Sequence, residues 1–134
     1  MTESETRSSI DNQYSKISSY QSDINALHAK ISELENTHMQ VCKTQKSFEE
    51  SCDMRRRSLA SVESCCVNPK IECEYAAGMS RLLSGTEYNN AYCGLDEAKG
   101  KLKSKISELE NEVAYYQGKI FACHSQIGYL NSLL

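Results

Sequence analysis

From Ile10 to Cys66, residues recur at heptad spacing with no change of phase, and this pattern fixes most of what the chain can become. One series runs Ile10, Ile17, Ile24, Ile31, His38, Gln45, Cys52, Leu59, Cys66. The other, three residues on, runs Tyr20, Leu27, Leu34, Val41, Phe48, Arg55, Val62. Side chains that alternate three and four apart fall on one stripe of an α-helix. Neither Gly nor Pro stands between Met1 and Asn68, so nothing in the backbone interrupts that helix. The spacing predicts one long helix over about residues 4–66, and its seam alone is roughly 85 Å long at ~1.5 Å per residue. His38, Gln45 and Arg55 break the apolar run, and polar residues in such a seam usually set register or partner choice.

The last third repeats the pattern. Ile106, Val113, Ile120, Ile127 and Leu134 interleave with Leu95, Leu102, Leu109, Tyr116, Cys123 and Leu130. A second long helix is predicted over about residues 90–133. Gly100, Gly118 and Gly128 lie inside it, and each weakens a helix by about 1 kcal/mol relative to Ala. Such a helix depends on packing. The heptad Lys30–Asn36 recurs at Lys105–Asn111, but the flanks do not match. A small coiled-coil alphabet explains the echo better than duplication does.

Between the arms, Asn68-Pro69 reads as an N-cap followed by Pro at the first helical position. A short helix over about 69–83 follows, with Ile71, Tyr75, Met79, Leu82 and Leu83 on one side. Leu83-Ser84-Gly85 ends it, with Gly85 at the C-terminal cap. The expected fold is all-α: an elongated antiparallel helical hairpin, or coiled coil, in one domain, with this broken segment between the long helices. Two registers are open. A turn at Asn68-Pro69 brings Ile31 near Ile106 and satisfies both seams within the chain. A turn at Gly85 leaves Ile10 to Leu34 without an intrachain partner, and an apolar seam that long is an interaction surface.

Composition excludes several functions. The net charge is −3, and the one basic run, Arg55-Arg56-Arg57, is short, so no basic face for nucleic acid is present. No apolar run approaches the roughly 20 residues of a membrane-spanning helix. The start, Met1-Thr2-Glu3-Ser4-Glu5, lacks the basic and apolar regions of a classical signal peptide. Seven cysteines, an odd count with no Cys-x-x-Cys, read as reduced thiols rather than a disulfide framework. His38 and Cys42 make at most half a metal site, and Glu35-x-x-His38 has no second copy. No phosphate loop, nucleophile elbow or zincin motif occurs, and a two-helix hairpin has almost no concavity. The expectation is a protein that is not an enzyme and carries no cofactor or metal.

The plan of a long coiled-coil helix, a break carrying a hydrophobic-x-Gly tripeptide and a second long helix resembles the YwqH-like family. These are small helical proteins encoded beside LXG-domain toxins in Gram-positive type VII secretion loci, and they look like relatives of WXG-type hairpins. Leu83-Ser84-Gly85 stands where that family has Trp-x-Gly, and Tyr88 or Tyr92 stands for the aromatic that follows. The missing Trp is a departure from the pattern. The resemblance covers nearly the whole chain and rests mostly on architecture and on the Lys-Ile-Ser-x-Leu style of both helices. It implies a targeting or chaperone role: binding the helical N-terminal LXG domain of a toxin, with or without a second small helical accessory chain, and aiding its export. It implies a cytoplasmic protein, or one exported without a classical signal peptide. Tyr92-x-x-x-Asp96 matches the letters of a type VII export signal. On this reading Ile10, Ile17, Ile24, Leu27, Ile31 and Leu34 carry docking, as the Gly85 register suggests. The competing expectation is a structural coiled-coil oligomerisation module with no client. A third is a cysteine-based redox or metal protein.

Overall fold

The structure is a computed structural model that describes residues 1–65 and 69–134, with the side chains of 62–65, 69, 72 and 84 outside the description. It has three helices in chain order: α1 (Glu3–Cys65), α2 (Pro69–Ser84) and α3 (Thr86–Ser132). No strand occurs among the described residues. The fold is an all-α helical hairpin. Contacts divide the chain into two units: residues 1–35 with 104–134, and residues 36–103.

In the first unit the two heptad seams meet. Ile24, Leu27 and Ile31 of α1 and Leu109 and Val113 of α3 form one buried cluster, with Leu34, Ile106, Tyr116 and Ile120 packed against it. Tyr20 faces Tyr116 with ring centroids 5.9 Å apart. Cys123, Ile127 and Leu130 continue the buried side of α3. The register is therefore the one that turns near residue 68, not at Gly85, and residues 66–68 themselves lie outside the described set. The physical reason is area: this register buries both stripes, at roughly 25 cal/mol per Å² of apolar surface removed from water. At the start of α1, Thr2 and Glu5 form a capping box. The Thr2 backbone N donates to Glu5 Oε2 at 2.8 Å, and the Glu5 backbone N donates to Thr2 Oγ1 at 3.2 Å.

In the second unit α1 is faced by α2 and the start of α3. Gln45, Cys52 and Leu59 of α1 are buried, as is Leu83 of α2. Phe48 stacks on Tyr88 with centroids 5.4 Å apart. The seam here departs from the strict heptad, for Arg55 is exposed. Arg56, exposed as well, reaches across the helix pair, donating from Nη2 to the Leu83 carbonyl at 2.7 Å with its guanidinium 5.1 Å from the Tyr88 ring centre.

The joint between α2 and α3 falls at Gly85. A Cβ there would overlap the Arg81 carbonyl oxygen, so only glycine fits. The Gly85 carbonyl accepts the Asn89 backbone N–H at 3.2 Å, which winds α3 from Thr86 rather than from about residue 90 as the Asn89, Asn90 and Gly94 cluster suggests.

Candidate interaction surfaces

The six residues expected to dock a partner lie on the inner seam of α1. Ile24, Leu27 and Ile31 are buried in the intrachain cluster, Leu34 packs on it, and Ile10 and Ile17 are half-buried. The apolar stripe that the Gly85 register leaves for a partner is therefore filled by α3 of the same chain. Sequence spacing finds the stripe correctly but leaves open what covers it.

The residues of the break and of the Tyr-x-x-x-Asp match lie in the second unit and face α1. Leu83 is buried, its carbonyl takes the Arg56 hydrogen bond, and the Ser84 side chain lies outside the described residues. Gln45 donates from Nε2 to Asp96 Oδ1 at 2.7 Å, and Lys99 Nζ stands 3.4 Å from the same oxygen. That donated hydrogen bond, helped by Lys99, holds the Asp96 carboxyl below its usual range. One turn earlier, the Glu49 carboxylate accepts from the Tyr92 phenol and raises its pKa. Tyr92 is half-buried and lies 6.3 Å from Tyr88 in a stacked row that begins at Phe48. Arg56 completes this row: its contact with Tyr88, and then its pairing with Asp53 at 3.0 Å, raise its pKa. Tyr92 and Asp96 thus act here as interhelix contacts. The letter match gives no hint of that, but the positions do, since Tyr88, Tyr92, Leu95 and Asp96 recur three and four apart.

Five free thiols are described: Cys52 and Cys123 in the core, Cys42 half-buried, Cys73 and Cys93 exposed. The side chains of Cys65 and Cys66 fall outside the description. His38 Nδ1 lies 3.8 Å from Cys42 Sγ, and its Nε2 is buried without a hydrogen-bond partner. Among the described residues no group of three or more His, Cys, Asp or Glu stands together as a metal cage would. An open groove of about 580 Å³ is lined by His28, Ile31, Ser32, Glu35, Glu110 and Val113.

Apolar side chains also stand on outward faces. On α2, Ile71, Tyr75 and Leu82 recur at helical spacing and are 62%, 45% and 56% exposed, on a stripe that flanks buried Leu83. On α3, Tyr115, Phe121 and Tyr129 are 60%, 74% and 58% exposed. Among the described residues no helix is long and apolar enough to cross a membrane. Comparisons with protein-family models, curated proteins and solved structures find no match.

Proposed function

We propose that this chain is a helical accessory protein, with no active site of its own, that binds a second helical protein along the outward face of α2. On the YwqH-like resemblance, the client is the helical N-terminal LXG domain of a type VII secretion toxin, and the complex forms in the cytoplasm before export. The observation that supports docking on α2 is the exposed stripe of Tyr75 and Leu82, continued by Ile71, which flanks the packed Leu83. Each such side chain stabilises a complex by ~1.5–3 kcal/mol when a partner buries it. An amphipathic helix laid against a client helix is a recurrent mode of recognition. A second small accessory chain fits the same reading by adding a further helix to the bundle.

The test is co-expression with the LXG domain encoded in the same locus. Wild type is expected to co-purify with it, and the Tyr75→Asp, Leu82→Asp double variant is expected to lose it while keeping its helical circular dichroism. Failure of wild type to retain the LXG domain, or retention by the double variant, overturns the reading. Ile24→Asp serves as the contrast: it places a charge in the hairpin core and is expected to lose helicity itself.

A further inference from the structure

Gly78 lies in the middle of α2, half-buried, and a Cβ there would meet no atom within 4 Å. Nothing inside the chain therefore requires glycine at a position where glycine weakens the helix. Viewed down the axis at ~100° per residue, Gly78 divides one face of α2 into two edges. Ile71, Tyr75 and Leu82 stand within about 60° of it on one edge, Glu74 and Arg81 within about 60° on the other. All five are exposed. Among the described residues neither Glu74 nor Arg81 makes an ion pair, and Arg81 lies along its own helix, donating from Nε to the Ala77 carbonyl at 3.3 Å.

We infer that this face binds the same face of a second copy, antiparallel, about a two-fold axis that passes beside Gly78 and across the helix. Such an axis reverses height along α2 but keeps each edge opposite the same edge of the second copy. On the charged edge, Glu74 lies about 6 Å from Gly78 along the axis and Arg81 about 4.5 Å the other way, at ~1.5 Å per residue. Reversal sets Glu74 of each copy opposite Arg81 of the other, with heights that agree to about 1.5 Å. On the apolar edge, Leu82 of the second copy falls at a height between Ile71 and Tyr75 and fills the gap between them. Gly78 meets Gly78 at the axis, where the missing side chains let the backbones approach. One register therefore pairs the charges, seats the apolar side chains and gives the glycine a use.

Charge selects this occupant. Glu74 and Arg81 are seven residues and about 10.5 Å apart on their own helix, too far to pair within one copy. A second copy supplies an acid for the base and a base for the acid, on the same edge. Area makes the dimer a weak one. Helices of 16 residues cover less than the ~1,200 Å² of a stable interface, so dimer and monomer balance on the order of 100 μM. Second copy and client use the same stripe and exclude each other, so on the client reading the dimer covers the stripe until a client takes it.

The test is sedimentation equilibrium of the full chain under reducing conditions, from about 10 to 500 μM. The mass of wild type is expected to rise from 15.1 kDa toward twice that value across the range. Glu74→Arg and Arg81→Glu each set like charges opposite one another, and each is expected to raise the dimer dissociation constant at least roughly 10-fold. An equimolar mixture of the two is expected to recover the wild-type mass, because every Arg of one chain then opposes a Glu of the other. Gly78→Leu is expected to weaken the dimer while keeping or raising helicity by circular dichroism, which separates a lost interface from a lost fold. A wild type that stays monomeric at 500 μM overturns the inference. So does an oligomer that the single variants leave intact, or a mixture no heavier than its components. Dimerisation needs no client: failure of the LXG domain to bind leaves these masses as expected, and a monomeric chain leaves the co-purification test as it stands.

Discussion

Gln45 on α1 and Asp96 on α3 are 51 residues apart in the chain and joined by a 2.7 Å hydrogen bond, with the Gln45 amide as donor. Gln45 is buried at a seam position, where an apolar residue would ordinarily stand. A buried amide costs free energy unless it is paired, so this bond favours the register that supplies Asp96 over any that does not. Gln45→Ala is expected to lower the unfolding free energy by about 1–2 kcal/mol, read by urea denaturation. Gln45→Leu is expected to keep or raise stability while broadening the amide NMR spectrum, because the device that selects one register is gone.

Acid should act through the same pair. The Asp96 carboxyl is held below its usual range, so its charged form stabilises the fold above the unfolded-state value near ~3.9. That contribution is lost as pH falls through the lower, folded-state value. Stability of wild type minus that of Asp96→Asn is expected to be constant near neutrality and to shrink below about pH 4. A difference that does not change with acidification contradicts the lowering of the Asp96 pKa by Gln45 and Lys99.

Glycines in this chain should separate by surroundings. Gly85→Ala forces a Cβ onto the Arg81 carbonyl and is expected to cost about 1–3 kcal/mol. Gly100→Ala meets nothing within 4 Å and is expected to stabilise the chain by about 0.5–1 kcal/mol. Thermal unfolding of the two variants side by side checks both signs.

Arg56 contacts both Tyr88 and the Leu83 carbonyl. In a double-mutant cycle read by urea denaturation, Arg56→Ala and Tyr88→Ala are expected to be non-additive, as two groups in direct contact are. Additive effects would mean that the guanidinium acts only through the carbonyl.

The sequence made the seams legible because heptad spacing and helix geometry are nearly the same period. Ile24, Leu27, Ile31, Leu109 and Val113 are inward by spacing alone and buried in fact. Arg56 was not legible. A strict seven-residue count selects Arg55, and spacing does not mark its exposed neighbour as the residue long enough to reach the Leu83 carbonyl and the Tyr88 ring. Tyr92 and Asp96 were found as a motif, but motif letters carry no direction, whereas Gln45 and Glu49 opposite them do. The register needed one more fact, that a turn near residue 68 buries both stripes while a turn at Gly85 strands one. The outward face of α3 was hidden for another reason. Its residues are small or aromatic rather than uniformly apolar, so no hydrophobic count marks them.

Gly85 has a consequence for how the molecule opens. The hydrogen-bond ladder of α2 stops there and α3 starts its own at the Gly85 carbonyl, whereas α1 runs on unbroken beside them. Helical order is interrupted at that joint, so α2 is a separate link in the cooperative chain, and among the described residues Leu83 and the Arg56 guanidinium tie it to α1. The molecule thus has a built-in fuse. Under stress, α2 is expected to let go first and to exchange its amide protons early, while the paired seams of residues 20–34 and 106–120, which hold the buried cluster, are expected to exchange last.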